Sequence, residues 1–227
     1  NLPLIQTTRF DSGALSLMAM VVHRFTQTGR YHGVVRQQGR PVADLDFSVR
    51  EESDCLQLDI DLAQAARSTR GRPAASCRKS NLPHHEVSPE GYVLFYSNSA
   101  GDYSIVVSGP TGEKCFDSTT LSEGDLFALT LLEPADYSMV NKETRAEGEI
   151  SVRLDDERAK TLKQLETAYV EAGESGFSPD YVELTSSQGL VFRIQGPGRI
   201  VVGKKEEGHR KRPGKPSFRW RKVERRP

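Results

Sequence analysis

Cysteine, tryptophan and long apolar runs are scarce in this chain, and its charges cancel. Three cysteines, Cys55, Cys77 and Cys115, stand among 227 residues. That is too few for a disulfide scaffold, and an odd number leaves at least one unpaired within the chain. No CxxC occurs, so the redox compartment and the localisation stay open. The longest apolar run, residues 14–22, is broken by Ser16 and ends at His23 and Arg24. It is well short of the roughly 20 residues that span a bilayer, and it reads as a buried strand. No GxSxG, HExxH, Walker A loop or GxGxxG is present, so no residue is assigned a catalytic role. The chain begins at Asn1 rather than Met, which fits either a removed targeting peptide or a trimmed end.

What is there suits a folded, β-rich body. Hydrophobic residues make up 36% and charged residues 27%, with 19 Gly and 12 Pro. This length suggests one large or two small domains, and it is enough to bury a core. Strand-like runs fall at residues 15–22, 31–36, 42–49 and 56–62, the last alternating apolar and polar with period two. Gln37-Gln38-Gly39-Arg40-Pro41 is a turn. Residues 66–91 break the pattern with small, polar, Pro and Gly residues and five basic ones, and read as a long loop or linker. Strand signals resume at 91–96, 102–107, 126–132, 137–140, 149–152, 181–184 and 190–194. Gln195-Gly196-Pro197-Gly198 then predicts a hairpin from 190–194 into 199–202.

The spacing predicts one surface helix over 155–172. Asp155 or Asp156 caps its start, Gly173 ends it, and Leu162, Leu165, Tyr169 and Ala172 form a narrow apolar stripe. The expected architecture is an antiparallel β-sandwich of one or two modules. The first module covers 1–65, the linker 66–91, the second module 92–202, and a basic arm 203–227. An internal echo bears on the number of modules. Residues 29–35 (GRYHGVV) match 101–107 (GDYSIVV) at Gly, Tyr, Val and Val, and Glu52, Asp54, Leu56, Leu58 and Ile60 match Glu123, Asp125, Phe127, Leu129 and Leu131. Tandem duplication and the shared grammar of hairpins both produce such an echo.

Several side chains invite a metal reading. His84 and His85 sit in the linker with Cys77 nearby, but neighbours on an extended chain point in opposite directions and chelate poorly. His23 and His32 flank a predicted hairpin and could face each other across it. Asp44, Asp46, Asp59 and Asp61 alternate along two strands, which would crowd hard oxygens for Ca²⁺ if those strands paired. We take them as the wet face of a one-sided sheet. No metal ligand and no cofactor is assigned.

Residues 132–140 (LEPADYSMV) followed by Gly148-Glu149-Ile150-Ser151-Val152 resemble the last two strands of the cupredoxin family. The resemblance covers about 25 residues. It implies a β-sandwich, but the copper ligands that family carries between those strands are missing. Residues 141–147 (NKETRAE) hold no Cys or His, and Cys115 has no His close behind it. The resemblance therefore implies a copper-free sandwich.

The zero net charge conceals a division. Residues 203–227 carry 11 Lys+Arg against 3 Asp+Glu, a net of +8, while residues 1–202 carry 20 against 28, a net of −8. Charge asymmetry of this kind marks a binding tail. Phe218 and Trp220, the only Trp, lie within the basic run, and Pro213, Pro216 and Pro227 favour an extended arm over a helix. Arg210, Lys211, Arg212, Phe218, Arg219, Trp220, Arg221 and Lys222 are the candidate partner-binding residues. Their chemistry suits an acidic protein surface, including this chain's own body. It also suits stacking on unpaired bases with phosphate contacts, or an anionic lipid surface. The expected function is a non-catalytic subunit that assembles with protein partners or with itself. The alternatives are a nucleic-acid-binding protein using the arm, and a metal protein or enzyme using the linker histidines.

Overall fold

The computed structural model describes residues 7–69, 85–154 and 166–206. In chain order these form β1 (Arg9–Asp11), β2 (Ala19–His23), β3 (Gly29–Gln37), β4 (Arg40–Val49), β5 (Gln57–Asp61), α1 (Leu62–Thr69), β6 (His85–Val87), β7 (Tyr92–Tyr96) and β8 (Tyr103–Ser108). There follow β9 (Lys114–Asp117), β10 (Leu126–Thr130), β11 (Asp136–Asn141), β12 (Glu147–Arg153), β13 (Ala168–Gly173), β14 (Gly176–Ser178), β15 (Tyr181–Thr185), β16 (Gly189–Ile194) and β17 (Ile200–Lys204). The chain is mainly β, with several sheets and no barrel, and α1 is the only helix among the described residues.

Local chemistry sets the clearest element. β3 and β4 are joined by Gln38 and Gly39, both at positive φ (51° and 79°), the two-residue turn whose twist matches a hairpin. Pro41 is tolerated in β4 because β6 reaches only Phe47–Val49, so no ladder bond is lost on that side.

Three sheets result. Sheet A has the order β1-β17-β11-β12-β15, sheet B the order β6-β4-β3-β8-β9, and sheet C the seven-strand order β14-β13-β16-β10-β2-β7-β5. Their buried apolar side chains, Val22 and Val201 apart, belong to one hydrophobic core. Between sheets B and C the core is aromatic: Phe95 of β7 stacks on Phe116 of β9 at 5.4 Å, and Phe25 meets Tyr31 and Phe47 at 4.9 and 5.0 Å.

The observed topology departs from the expected one in four respects. First, every sheet draws strands from both sides of the linker, so residues 1–65 and 92–202 do not close as separate modules. The echoed segments are hydrogen-bonded neighbours, with Gly33 opposite Val107 and Val35 opposite Ile105. Second, the sheets are mixed. β4–β6, β5–β7, β12–β15 and β13–β16 run parallel, so the pairing is not purely antiparallel.

Third, residues 168–173 are strand β13 rather than the end of a helix. Val170 and Ala172 are buried while Tyr169 and Glu171 are exposed, the period of a strand, and pairing to β16 decides between the two patterns. The rest of that expected helix, 155–165, lies outside the described residues. Fourth, β16 and β17 do not form a hairpin. The 195–198 turn carries the chain from sheet C to sheet A, where β17 pairs with β1 and β11.

The helix that does form went unpredicted. Asp61 caps it, its Oδ1 accepting the amides of Ala63 and Gln64 at 3.0 and 3.2 Å, and Leu62, Ala63 and Ala66 enter the core. The Asp61-x-x-Gln64 spacing and the alanine run are the signals that would have found it.

Candidate interaction surfaces

All eight candidate arm residues, Arg210, Lys211, Arg212, Phe218, Arg219, Trp220, Arg221 and Lys222, lie outside the described residues, as do Cys77 and His84. The root of the arm is described, and it is informative. Lys204, at the end of β17, pairs with Glu133, and Lys205 reaches Glu149 of β12 at 2.5 Å. The first two basic residues of the arm thus lie on carboxylates of the body. Beside them is a depression lined by Glu147, Glu149, Asp180, Tyr181 and Lys205 among others. Asp136 is held below the usual carboxylate range by hydrogen bonds from Ser151 and Arg153, so this side of sheet A stays anionic.

The outer face of sheet B is also ionic. Asp46 accepts hydrogen bonds from Arg30 (2.9 Å) and His32 (3.0 Å), and His32 Nε2 lies 3.7 Å from Asp44. Burial works to raise the Asp46 carboxyl, but the bonds from His32 and Arg30 together outweigh it and leave it below its ordinary value. Asp44 and Asp46 therefore do not meet Asp59 and Asp61. β4 and β5 lie in different sheets, Asp61 is committed to capping α1 and to Asn98, and Asp59 accepts from Gln57. Among the described residues no group of three His, Cys, Asp or Glu side chains is arranged to hold a metal ion.

His23 does not face His32. Its ring lies against Phe25 and Phe116 (4.4 and 4.6 Å), and its Nδ1 is 2.5 Å from Oδ1 of the buried Asp125. Cys55 and Cys115 are both free thiols, each donating to a backbone carbonyl, of Gln57 and Val107 respectively. Burial, with the negative charge of Glu113, pushes the Cys115 thiol up to about 11, so it is a poor nucleophile near neutrality.

Sheet C differs from the other two. Its inward side chains, such as Val21, Phe95, Phe127 and Phe192, are fully buried. Over β16, β10, β2 and β7 its outward side chains are mostly apolar as well, while the flanking strands β5 and β13 turn out Gln57, Asp59, Asp61 and Glu171. The register places Tyr169, Val191, Ala128, Met20 and Tyr96 in one row across five strands, and Arg193, Leu126, Val22 and Leu94 in the next. None of these nine belongs to the core or packs against it, not even Val22, which is only 9% exposed. The Arg193 guanidinium sits 4.4 Å from the centre of the Tyr169 ring, at the border of the apolar area. Sequence reading missed this face because it judged strands one at a time. β7 (YVLFY) and β10 (LFALT) are apolar at nearly every position, the composition of strands covered on both sides.

Comparison with family models, with curated proteins and with solved structures found no match. Among the described residues no helix is long and apolar enough to cross a membrane.

Proposed function

We propose that this chain is a non-catalytic assembly subunit, built as a β-sandwich, whose basic arm grips an acidic protein surface. The residues that do so are Arg210, Lys211, Arg212, Phe218, Arg219, Trp220, Arg221 and Lys222. In this reading sheets A and B lie against the inner face of sheet C, and the likeness to cupredoxins is one of strands alone.

The observation that carries the reading is the root of the arm. Lys204 and Lys205 lie on Glu133 and Glu149, so the basic sequence starts on carboxylates of the body. A neighbouring copy offers the same acidic ground, including the depression at Glu147, Glu149 and Asp180. Exposed ion pairs contribute little singly, so affinity comes from the number of basic residues and from the Phe218 and Trp220 anchors.

The test is a chain ending at Glu206, which keeps all of β17. At low salt the full chain associates with itself or with an acidic partner, and the shortened chain keeps its circular dichroism and melting temperature but loses the part of that association that 0.5 M NaCl abolishes. A salt-sensitive association that the shortened chain keeps unchanged overturns the reading. So does tight, steeply salt-dependent binding of the full chain to single-stranded RNA or DNA, which transfers the arm to nucleic acid.

A further inference from the structure

The outer face of sheet C carries an inference that rests on the assembly reading and names the partner. We infer that this face is the interface between two copies of the chain, packed sheet to sheet.

The physical case begins with the contrast among the sheets. Sheets A and B turn carboxylates, lysines and arginines outward, while sheet C does so only on its flanks, at Asp59, Asp61, Glu171 and Arg193, and between them turns Met20, Val22, Leu94, Tyr96, Leu126 and Val191 outward. Contiguous apolar patches of several hundred Å² are uncommon on a surface that stays in water. Adjacent strands lie about 4.8 Å apart and each residue adds about 3.4 Å, so seven strands of three to six residues make a face of roughly 500–600 Å², of which the apolar middle is about half. Two such faces bury about 1,000–1,200 Å² in total, the lower end of what a specific interface needs.

The arm is a poor cover for this face. Residues 207–227 offer Phe218, Trp220 and Val223 against nine Lys and Arg, so the arm would set charges on most of the apolar area. A second copy presents the same apolar rows, and an isologous contact needs nothing else. The rim agrees with this arrangement. Arg193 lies on the β16 side, next to Glu171 of β13, and Asp59 on the β5 side. A two-fold axis running along the strands turns the Arg193 side of one copy toward the Asp59 side of the other.

Sedimentation velocity from 1 to 100 µM in 0.5 M NaCl tests this, because salt at that level screens the arm's charges and leaves apolar contact intact. Four chains are compared: the full chain, the chain ending at Glu206, Leu94→Glu and the milder Leu94→Ala. The side chain of Leu94 points away from the core, so near-ultraviolet circular dichroism should stay native. The expected result is a dimer for the full and shortened chains, a monomer for Leu94→Glu, and at least a tenfold weaker dimer for Leu94→Ala.

A full chain that is monomeric at 100 µM overturns the inference, as does a dimer that both Leu94 variants leave unchanged. A dimer lost on removing 207–227 and kept in the Leu94 variants also overturns it, while the arm reading stands. A dimer that survives removal of the arm and is lost in the Leu94 variants supports the face and leaves the arm reading to its own low-salt test.

Discussion

The imidazole of His23 and the carboxylate of Asp125 meet at 2.5 Å although 102 residues separate them in the chain. β2 and β10 are antiparallel neighbours with Val22 opposite Leu126, which brings the next positions, His23 and Asp125, face to face. Asp125 is buried, and its other oxygen accepts the Ser122 amide at 2.7 Å. The pair therefore ties a strand end to a turn inside the core.

Replacing Asp125 with Ala leaves both the His23 ring and the Ser122 amide without their acceptor. The expected loss is about 1–2 kcal/mol, because the partly buried His23 ring loses its partner while the amide of the exposed Ser122 can turn to water. Replacing His32, whose bonds to Asp46 and Asp44 lie on the surface, costs about 0.5–1 kcal/mol or less. Urea unfolding of the two variants measures the difference. Equal losses would mean that burial is not what makes the His23–Asp125 contact matter.

Arg199 grips Asp11 with two parallel hydrogen bonds (3.0 and 3.1 Å), and this contact fastens β1 to the start of β17. Asp11 is buried, so Arg199→Ala leaves a carboxylate there with no cation opposite it except the more distant Arg9 at 3.6 Å. We expect a loss of about 3 kcal/mol and faster amide exchange at Phe10 and Val202. Arg199→Lys should recover only part of this, because an ammonium cannot reproduce the two-pronged geometry.

Alkali should unfold the protein through three protonated groups. Burial pushes Tyr31 and Tyr137 up from 10.0 to about 12, with the charges of Cys115 and Glu113 adding at Tyr31 and that of Glu133 at Tyr137, while Cys115 rises from 9.0 to about 11. Each group is neutral in the folded state over a range where the unfolded chain releases its proton. Their contribution is complete below pH 9 and is lost between pH 9 and 12 as the unfolded state gains by ionising. The melting temperature should fall steadily above pH 9. Tyr31→Phe should flatten that fall, since Phe has no proton to lose. A melting temperature constant to pH 11.5 would contradict this.

The end of β17 sets where the arm can be cut. Gly203 pairs with Arg9 and Ser138, Lys204 pairs with Tyr137, and the Lys204 amide donates to the Thr8 carbonyl. A chain ending at Val202 loses these bonds and should be about 1–2 kcal/mol less stable, while a chain ending at Glu206 should melt with the full protein. Differential scanning calorimetry of the two separates loss of the arm from damage to the sheet.

The sequence made the strands legible wherever one face is wet. β4, β5, β11 and β16 fall where alternation places them, because a residue's polarity then reports its side directly. It was misleading where the two periods overlap. Tyr169 and Ala172 stand three apart, as on a helix, yet they point to opposite faces of β13. Partners were not legible at all. Nothing local says that Val22 will lie beside Leu126 or that β16 and β17 will part to different sheets, since pairing is decided by the whole core. The surfaces divide in the same way. The arm's charge could be counted from the chain, whereas the apolar outer face exists only once five strands are laid side by side.

β1 pairs with β17, and β2 and β3, beside their nearer partners β7 and β4, pair with β10 and β8, so the early strands complete their pairing only far along the chain. The consequence is one of timing. During synthesis the first hundred residues can close the β3–β4 hairpin and pair β2 with β7, but the other edge of β2 must wait for β10 and β1 for the last strand. Until then the apolar strands β2 and β7 stand without their full sheet, and the newly made chain depends on finishing quickly or on being shielded until it does.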